Sequence, residues 1–334
     1  MHFLLVPLLL AACTPDEGRP PLPDSVPLAC VPSDATPATG IVGLSDPNAT
    51  EPGVIDLVEE SGAPWIRAEL HWSVIQPDPD GPLDFTAYDA MIDAYRERGI
   101  EVLAILTYLP PAYGDDWDRI DTDFRAFATA AVERYAPRGV HHWEVFNEPN
   151  LPGYGWLTED DDAWTHLPDY TRLLGIANEV VRAADPEGFV VLGGIASEQH
   201  RGLAVEETMD VLYGYGARDC FDVFAFHPYG YQNAFGDARD RVQDVLDAGD
   251  DADKPVWFDE YGWTDQDAMD LAVNDTPETN PMLAVFDQKD VADALFWFSA
   301  KDYSSRVGAP TFGLADYDLV KRPSFFTFQS RMGP

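Results

Sequence analysis

From residue 40 onward the sequence alternates between short apolar runs and longer amphipathic segments, and this alternation constrains the fold more than any other feature. The apolar runs predict eight strands, at residues 41–44, 65–70, 100–107, 143–146, 189–194, 221–226, 255–260 and 294–298. Amphipathic segments between them predict helices, such as residues 85–98, which Gly99 ends. Strands that alternate with helices indicate a parallel sheet with covered faces.

Length decides between an open parallel sheet and a closed barrel. Residues 40–334 are 295 residues, or about 37 for each of eight strand–helix units, which is a normal size for a (β/α)8 barrel. No Gly-rich dinucleotide loop follows the first strand and no Walker motif occurs, so the doubly wound alternatives are disfavoured. The sequence therefore predicts the α/β class, with a single (β/α)8 TIM barrel over residues 40–334.

The charge of the chain excludes some partners. Among 334 residues, 59 are acidic and 21 are basic, for a formal net charge of −38. Nucleic acid is not expected as a partner, because its phosphates would be repelled. The acidity is typical of a well-solvated surface in a salty or extracellular setting, and attraction of a cationic substrate is the alternative interpretation.

Two of the predicted strands end in a carboxylate. The fourth strand leads into Asn147 and Glu148, and Pro149 cannot continue the ladder. The seventh strand ends at Glu260, three strand–helix units further along the chain. Because barrel active sites lie at the C-terminal ends of the strands, the two carboxyl groups should meet at one mouth. Such a pair is the minimal equipment for hydrolysis of a glycosidic bond.

The Asn-Glu-Pro sequence that closes one strand, together with a glutamate that closes a later one, resembles the clan A glycoside hydrolases. Within that clan the chain looks most like family 39, with family 5 next. The resemblance implies a (β/α)8 barrel that acts with retention of configuration. It also implies that Glu148 is the acid/base, Glu260 the nucleophile, and Asn147 the residue that hydrogen-bonds the sugar 2-hydroxyl.

Other side chains at predicted strand ends complete the candidate site. The expected substrate-binding set, besides Asn147, is Arg67, His71, Trp72, Tyr108, His227, Tyr229 and Trp297. Arg67 and Tyr229 should keep Glu260 ionised, His227 should orient the acid/base side, and Trp297 should form the floor for the non-leaving sugar. For Arg67 the alternative is an ion pair with Glu144 inside the barrel.

Aromatic residues in the predicted loops form a second group of candidates. They are expected either to stack on sugar rings or to pack within the loops, and they are Tyr113, Trp117, Trp156 and Trp263. The segments that would decide between endo and exo action are residues 151–166 and 264–280.

The N-terminus predicts export. Residues 1–13 contain an apolar run of secretory type and end in Leu-Ala-Ala-Cys. This ending resembles the bacterial lipoprotein cleavage box, which implies that Cys13 is lipidated and anchors the protein in the cell envelope. A signal peptide cut elsewhere, with a secreted product, is the alternative. Residues 14–39 are rich in proline and predict a stiff spacer.

Two further cysteines remain, and an exported chain can keep a disulfide bond. Cys30 precedes the first predicted strand and Cys220 precedes the sixth, so both should lie near the N-terminal face of the barrel. A Cys30–Cys220 bridge is one expectation. A buried thiol and a separate thiol in the linker are the other.

The expected activity is retaining hydrolysis of β-glycosidic bonds in a poly- or oligosaccharide by a monomer that needs no cofactor. Histidine spacing does not predict a metal site, and no Gly-x-Ser-x-Gly sequence predicts a serine nucleophile. A catalytically idle carbohydrate-binding barrel and a transglycosylase remain alternatives. Glucan, xylan and mannan remain possible substrates, and the loop aromatics favour endo action on a polysaccharide.

Overall fold

The computed structural model describes residues 28–152, 163–197, 203–231, 234–263, 286, 288–306 and 311–333. The predicted signal segment with Cys13, and also Trp156 and residues 264–280, lie outside these ranges. Within the described ranges, the helices are too short or too polar to cross a membrane.

Nine parallel strands form a nearly closed barrel. They are β1 (Ile41–Ser45), β2 (Trp65–His71), β3 (Glu101–Thr107), β4 (His142–Val145), β5 (Phe189–Leu192), β6 (Ile195–Ala196), β7 (Phe224–His227), β8 (Val256–Tyr261) and β9 (Ala294–Phe298). The order is β5-β4-β3-β2-β1-β9-β8-β7-β6. The ring closes through a parallel bridge between Val191 and Val223. The predicted (β/α)8 TIM barrel is thus confirmed.

The fifth predicted strand is present as two short strands, and glycine is the reason. Gly193 and Gly194 separate β5 from β6. A Cβ atom on Gly193 would lie 2.4 Å from the carbonyl oxygen of Val145, and one on Gly194 would lie 2.0 Å from Nε2 of His227. The chain therefore approaches the ends of β4 and β7 more closely than a side chain would permit.

Helices cover the outside of the barrel. Those within the described residues are α1 (Pro52–Ser61), α2 (Trp72–Ile75), α3 (Thr86–Glu97), α4 (Trp117–Tyr135), α5 (Ala163–Ala184), α6 (Val205–Gly214), α7 (Phe235–Ala248) and α8 (Pro323–Met332). Helix α5 begins at Ala163, which is the first residue described after position 152. Pro168 lies inside this helix, although a proline in a sequence usually indicates a helix boundary.

Alternation along the strands divides the side chains into two cores. Outward side chains join the large core between strands and helices, whereas a smaller inner core fills the bottom of the barrel. Trp257 and Phe296 belong to this inner core, with the Trp65 ring edge-on to both. Arg67 follows Trp65 by two residues on β2, and Asp259 follows Trp257 by two residues on β8. Both side chains point inward, and they form a charged layer above the apolar one.

The N-terminal segment lies along the barrel wall. Cys30 and Cys220 are joined by a disulfide bond, which is the bridge expected from sequence. The amide of Val31 donates to Asn178 at 3.0 Å, and that of Ser33 donates to Asp222 at 2.8 Å. Residues 28–33 of the predicted spacer are therefore held against α5 and the start of β7.

Candidate active site

A cavity of about 470 Å³ opens at the C-terminal ends of the strands. Its described lining comprises Pro47, Glu69, Tyr108, Asn147, Glu148, Leu151, Ala196, Ser197, Tyr229, Glu260, Phe298, Tyr303 and Phe312. Three of these residues are glutamates, and neither lysine nor arginine occurs in this described lining. The cavity therefore presents carboxylates and aromatic faces, as a site for a neutral or cationic polar ligand would.

Glu148 reaches the cavity because the backbone turns sharply after β4. Phe146 (φ 59°) and Glu148 (φ 46°) both adopt the left-handed conformation, which is rare outside glycine and is found most often at functional sites. Oε1 of Glu148 is hydrogen-bonded to Nδ1 of His227 at 2.8 Å. Burial raises the pKa of Glu148 to about 7. A carboxyl group with this pKa holds a proton near neutral pH and can donate it.

Glu260 reaches the same cavity through a β-bulge. The partners of Phe258 and Tyr261 on β9 are Leu295 and Trp297, so three steps on β8 lie opposite two on β9. Phe258 and Tyr261 both join the outer core, and the extra residue allows Asp259 and Glu260 to face the interior together. Re-aiming a side chain beside an active site is a common use of such a bulge.

Charged and polar partners hold the Glu260 carboxylate. Nη1 of Arg67 donates to Oε2 at 3.0 Å, and the Tyr229 hydroxyl donates to Oε1 at 2.9 Å. Burial raises the pKa of Glu260, whereas the charge of Arg67 and the hydrogen bond from Tyr229 lower it. Among the described residues the contact with Arg67 belongs to Glu260 and not to Glu148, so Glu260 is the carboxyl group better stabilised as a carboxylate.

The carboxyl groups of Glu148 and Glu260 lie close together in the cavity. One oxygen of Glu148, one of Glu260 and a ring nitrogen of His227 lie within 4.8 Å of one another. Carboxyl groups about 5 Å apart are typical of retaining glycosidases, whereas inverting enzymes need room for a water molecule between carboxyl group and sugar.

Arg67 contacts Glu260 as expected, but its donors are all taken among the described residues, so it supports the cavity rather than offering a hydrogen bond to a ligand. The guanidinium is 2% exposed. Its five N–H groups donate to Glu144 twice and to Ser45, Glu260 and Asn147 once each. The ion pair with Glu144 and the contact with Glu260 are both present, and together they consume every donor that an arginine has.

Other predicted residues take the following places. Asn147 and Tyr108 line the cavity, and Asn147 receives a 2.7 Å hydrogen bond from Arg67 on its Oδ1, which leaves the amino group to donate to a ligand. His227 is fully buried beneath Glu148, so it contacts the acid/base rather than the cavity. His71 lies at the rim, where its Nε2 is 2.6 Å from Oε2 of Glu69.

Trp72 and Trp297 are not substrate-binding residues, and strand geometry explains both errors. Trp72 is fully buried as the first residue of α2, stacked on Phe127 in the outer core. On β9, Phe296 points inward, so its neighbour Trp297 points outward and packs against Trp263. The aromatic residue of β9 that lines the cavity is Phe298, two positions after Phe296.

Sequence reasoning missed several residues that line or support the cavity. Glu69 and Phe298 could have been found by counting in twos from Arg67 and Phe296. Glu69 receives a hydrogen bond of 3.4 Å from the Tyr108 hydroxyl. Tyr303 and Phe312 come from the segments after β9, and no local pattern distinguishes them.

The described loop aromatics do not line the cavity. Tyr113 is 5% exposed and donates to Asp123. Trp117 lies beside His166, and Trp263 packs behind Trp297. Loop packing, the other expectation for these residues, is what the structure has.

A parallel barrel that brings two carboxyl groups about 5 Å apart at its C-terminal mouth has the equipment of a retaining glycoside hydrolase, and the family match places it in clan A. The chain belongs to the cellulase family, glycosyl hydrolase family 5, whose family model matches residues 34–303. Family 5 is the second of the two families that the sequence resembles.

Comparison with solved structures agrees on the fold. A monomeric beta-xylosidase from Caulobacter crescentus CB15 superposes with a TM-score of 0.65 at 20% identity, over 91% of this chain and 70% of that one. A family 1 β-glucosidase from Thermotoga maritima superposes with a TM-score of 0.64 at 14% identity, over 88% of this chain and 97% of that one.

Two protein sequences match a shorter part of this chain than the solved structures do. Beta-glucosidase 47 of Arabidopsis thaliana is 32% identical over 114 residues, which are 30% of this chain and 21% of that protein. Beta-glucosidase 22 of Oryza sativa subsp. japonica is 29% identical over 107 residues, 29% of this chain and 20% of that protein. The chain spans about a fifth of the length of these relatives.

Proposed function

We propose that the protein hydrolyses β-glycosidic bonds in a poly- or oligosaccharide, with retention of configuration. The observation that carries the proposal is the placement of Glu148 and Glu260 with carboxyl oxygens within 4.8 Å. Glu148 has the raised pKa that a general acid needs, and Glu260 has the cationic partner that a nucleophile needs.

In the first step the Glu260 carboxylate attacks the anomeric carbon while Glu148 protonates the leaving oxygen. Once Glu260 is an ester its negative charge is gone, and the guanidinium of Arg67 keeps its ion pair with Glu144. Glu148 is by then a carboxylate, and it takes a proton from the water that attacks the same carbon. That attack releases the sugar and restores both glutamates.

The described lining supports an uncharged β-linked carbohydrate. Uronic acid or sulfated units would face the carboxylates of Glu69, Glu148 and Glu260 with no lysine or arginine of the described lining to offset them. Relatives and neighbours are named as glucosidases and xylosidases, and the family as cellulases. A β-linked glucan or xylan is therefore the proposed substrate.

Two alternatives use the same site. A transglycosylase would use the same two glutamates with a sugar as the acceptor in place of water. A catalytically idle barrel would bind carbohydrate in the cavity without cleaving it. The raised pKa of Glu148 and the hydrogen bond from Arg67 to Glu260 argue against this alternative, because binding alone needs neither.

The test is hydrolysis of a panel of aryl β-glycosides and β-linked polysaccharides. Glu260→Ala should lose on the order of 10⁴-fold or more in kcat. Glu148→Ala with added azide should regain activity on activated aryl glycosides and release a β-glycosyl azide. Full activity in Glu260→Ala would refute the assignment, and sugar binding without turnover by the wild type would favour the idle barrel.

We also propose that the protein is exported and anchored by lipid on Cys13. The apolar run and the Leu-Ala-Ala-Cys sequence support this localisation. In a bacterial expression host, the wild type should partition into detergent and Cys13→Ser should not. Equal partitioning of the two would refute the anchor.

A further inference from the structure

Asp259 is a buried carboxylic acid that the proposed mechanism leaves without a role. Its side chain is fully buried next to Glu260. Neither of its carboxyl oxygens has a hydrogen-bond partner among the described residues. A buried polar group without a partner costs on the order of 1–3 kcal/mol, so its presence calls for a physical reason.

His227 also has a buried polar atom without a hydrogen-bond partner among the described residues. Its Nδ1 is 2.8 Å from Oε1 of Glu148, whereas its Nε2 has no hydrogen-bond partner among the described residues. Nε2 lies 3.5 Å from Oδ1 of Asp259. Gly194 covers the same edge of the ring, and a Cβ atom there would lie 2.0 Å from Nε2, so the ring cannot turn away while that backbone stays in place.

The charges around Asp259 favour its neutral form. Arg67 is the cation that faces it, with Nε 3.3 Å from Oδ2. The same guanidinium already faces Glu144 and Glu260. Burial, followed by the charge of Glu144, raises the pKa of Asp259 well above its usual range. Arg67 therefore donates its hydrogen bonds to the carboxyl groups of Glu144 and Glu260 and none to Asp259, so Asp259 is the carboxyl group that keeps its proton.

A protonated Asp259 must donate its hydrogen bond to some acceptor. Glu144 is one acceptor within reach. It already receives two hydrogen bonds from Arg67 and one from the amide of Gly194. Nε2 of His227 receives no hydrogen bond from the described residues. A hydrogen bond from Asp259 to Nε2 would therefore give a partner to two buried atoms at once, the nitrogen and the carboxyl oxygen.

We propose that Asp259 is a positioning residue whose carboxyl O–H donates a hydrogen bond to Nε2 of His227 and thereby holds this histidine as the neutral Nδ1–H tautomer. This inference rests on the proposed acid/base role of Glu148. With Nδ1 protonated, His227 donates to Oε1 of Glu148 in both of its charge states. The catalytic proton then resides on Oε2, and the carboxylate that remains after proton donation keeps a hydrogen-bond donor.

The direct test is the tautomer of His227, read from ¹⁵N chemical shifts of histidine-labelled protein. The His227 signal is assigned by its loss in His227→Gln. We expect the neutral Nδ1–H tautomer in the wild type. Asp259→Asn should keep it, since the Asn amide is of similar shape and also donates. Asp259→Leu removes the donor and should shift the population toward Nε2–H. A wild-type Nε2–H tautomer would overturn the proposal.

The kinetic test uses leaving groups of different acidity. Asp259→Leu should lose on the order of 100-fold in kcat/KM on phenyl glycosides, which need proton donation, and under about tenfold on dinitrophenyl glycosides, which do not. Asp259→Asn should stay within about tenfold of the wild type on both. Equal losses in Asn and Leu variants would overturn the proposal. A wild type inactive on every glycoside would refute the hydrolase assignment alone, because the tautomer measurement needs no turnover.

Discussion

Nη1 of Arg67 donates a 3.0 Å hydrogen bond to Oε2 of Glu260, and this contact connects the charged layer of the barrel to the floor of the cavity. The other end of the same guanidinium is bound twice by Glu144. One cation thereby fixes the position of the proposed nucleophile relative to the barrel wall.

Replacing Arg67 should damage both stability and activity. Arg67→Met leaves Glu144 and Glu260 without their cation, and breaking a buried ion pair from one side typically costs about 3–5 kcal/mol. Arg67→Lys keeps the charge but provides three donors in place of five. It should fold more stably than Arg67→Met, with kcat reduced on the order of 100-fold or more.

The matched control is Arg125→Met, because Arg125 forms an exposed ion pair with Glu179. Its free energy of unfolding should change by under about 1 kcal/mol. Urea unfolding and kcat on the preferred substrate measure these effects. If Arg67→Met and Arg125→Met are equally stable, the charged layer does not have the structural role described.

The pH dependence should report the proton on Glu148. Burial raises the pKa of this group to about 7. The first step needs the protonated acid, so kcat/KM should fall as pH rises through about 7. Glu148→Gln cannot titrate, so its residual activity on phenyl glycosides, which need proton donation, should lack this alkaline limb. A wild-type limb unchanged in Glu148→Gln would assign the titration to another group.

The two adjacent aromatic residues at the end of β9 should behave differently. Phe298 lines the cavity, so Phe298→Ala should raise KM by about tenfold with a small effect on stability. Trp297 is 4% exposed in the outer core, so Trp297→Ala should cost about 3–5 kcal/mol. Thermal unfolding and Michaelis–Menten kinetics of the two variants measure this contrast, and the reverse pattern would contradict the inward placement of Phe298.

The disulfide bond should stabilise the protein without affecting catalysis. Cys30 and Cys220 are 190 residues apart, and loss of a bridge typically costs about 2–5 kcal/mol. The double variant Cys30→Ser/Cys220→Ser should unfold at a lower temperature and keep kcat, because neither residue lines the cavity. A reducing agent should lower the melting temperature of the wild type and leave that of the variant unchanged.

The sequence was sufficient for the barrel and for its two glutamates. Apolar runs that alternate with helices over this length are compatible with few parallel folds. Two carboxyl groups at strand ends indicate acid/base and nucleophilic chemistry by their residue type alone. The positions of the two cysteines relative to the strands allowed the disulfide bond as one of two expectations, and the structure has it. These inferences depend on order along the chain and on periodicity, which are local properties of the sequence.

The sequence revealed only part of the set of side chains that share the cavity. Trp72 and Trp297 were assigned to it by their chemistry, although helix α2 and strand alternation turn both outward. The bulge in β8 that turns Asp259 and Glu260 inward together leaves no signature in Phe-Asp-Glu-Tyr.

What the sequence by itself determined was the fold class, the number of units and the two strand-end glutamates that are proposed as acid and nucleophile. Only the tertiary structure decided that Arg67 has no donor left for a sugar and that Asp259 faces His227. The physical reason is that a hydrogen bond or a cavity wall depends on distances between strands far apart in the chain. Barrel closure sets those distances, and no local pattern encodes them.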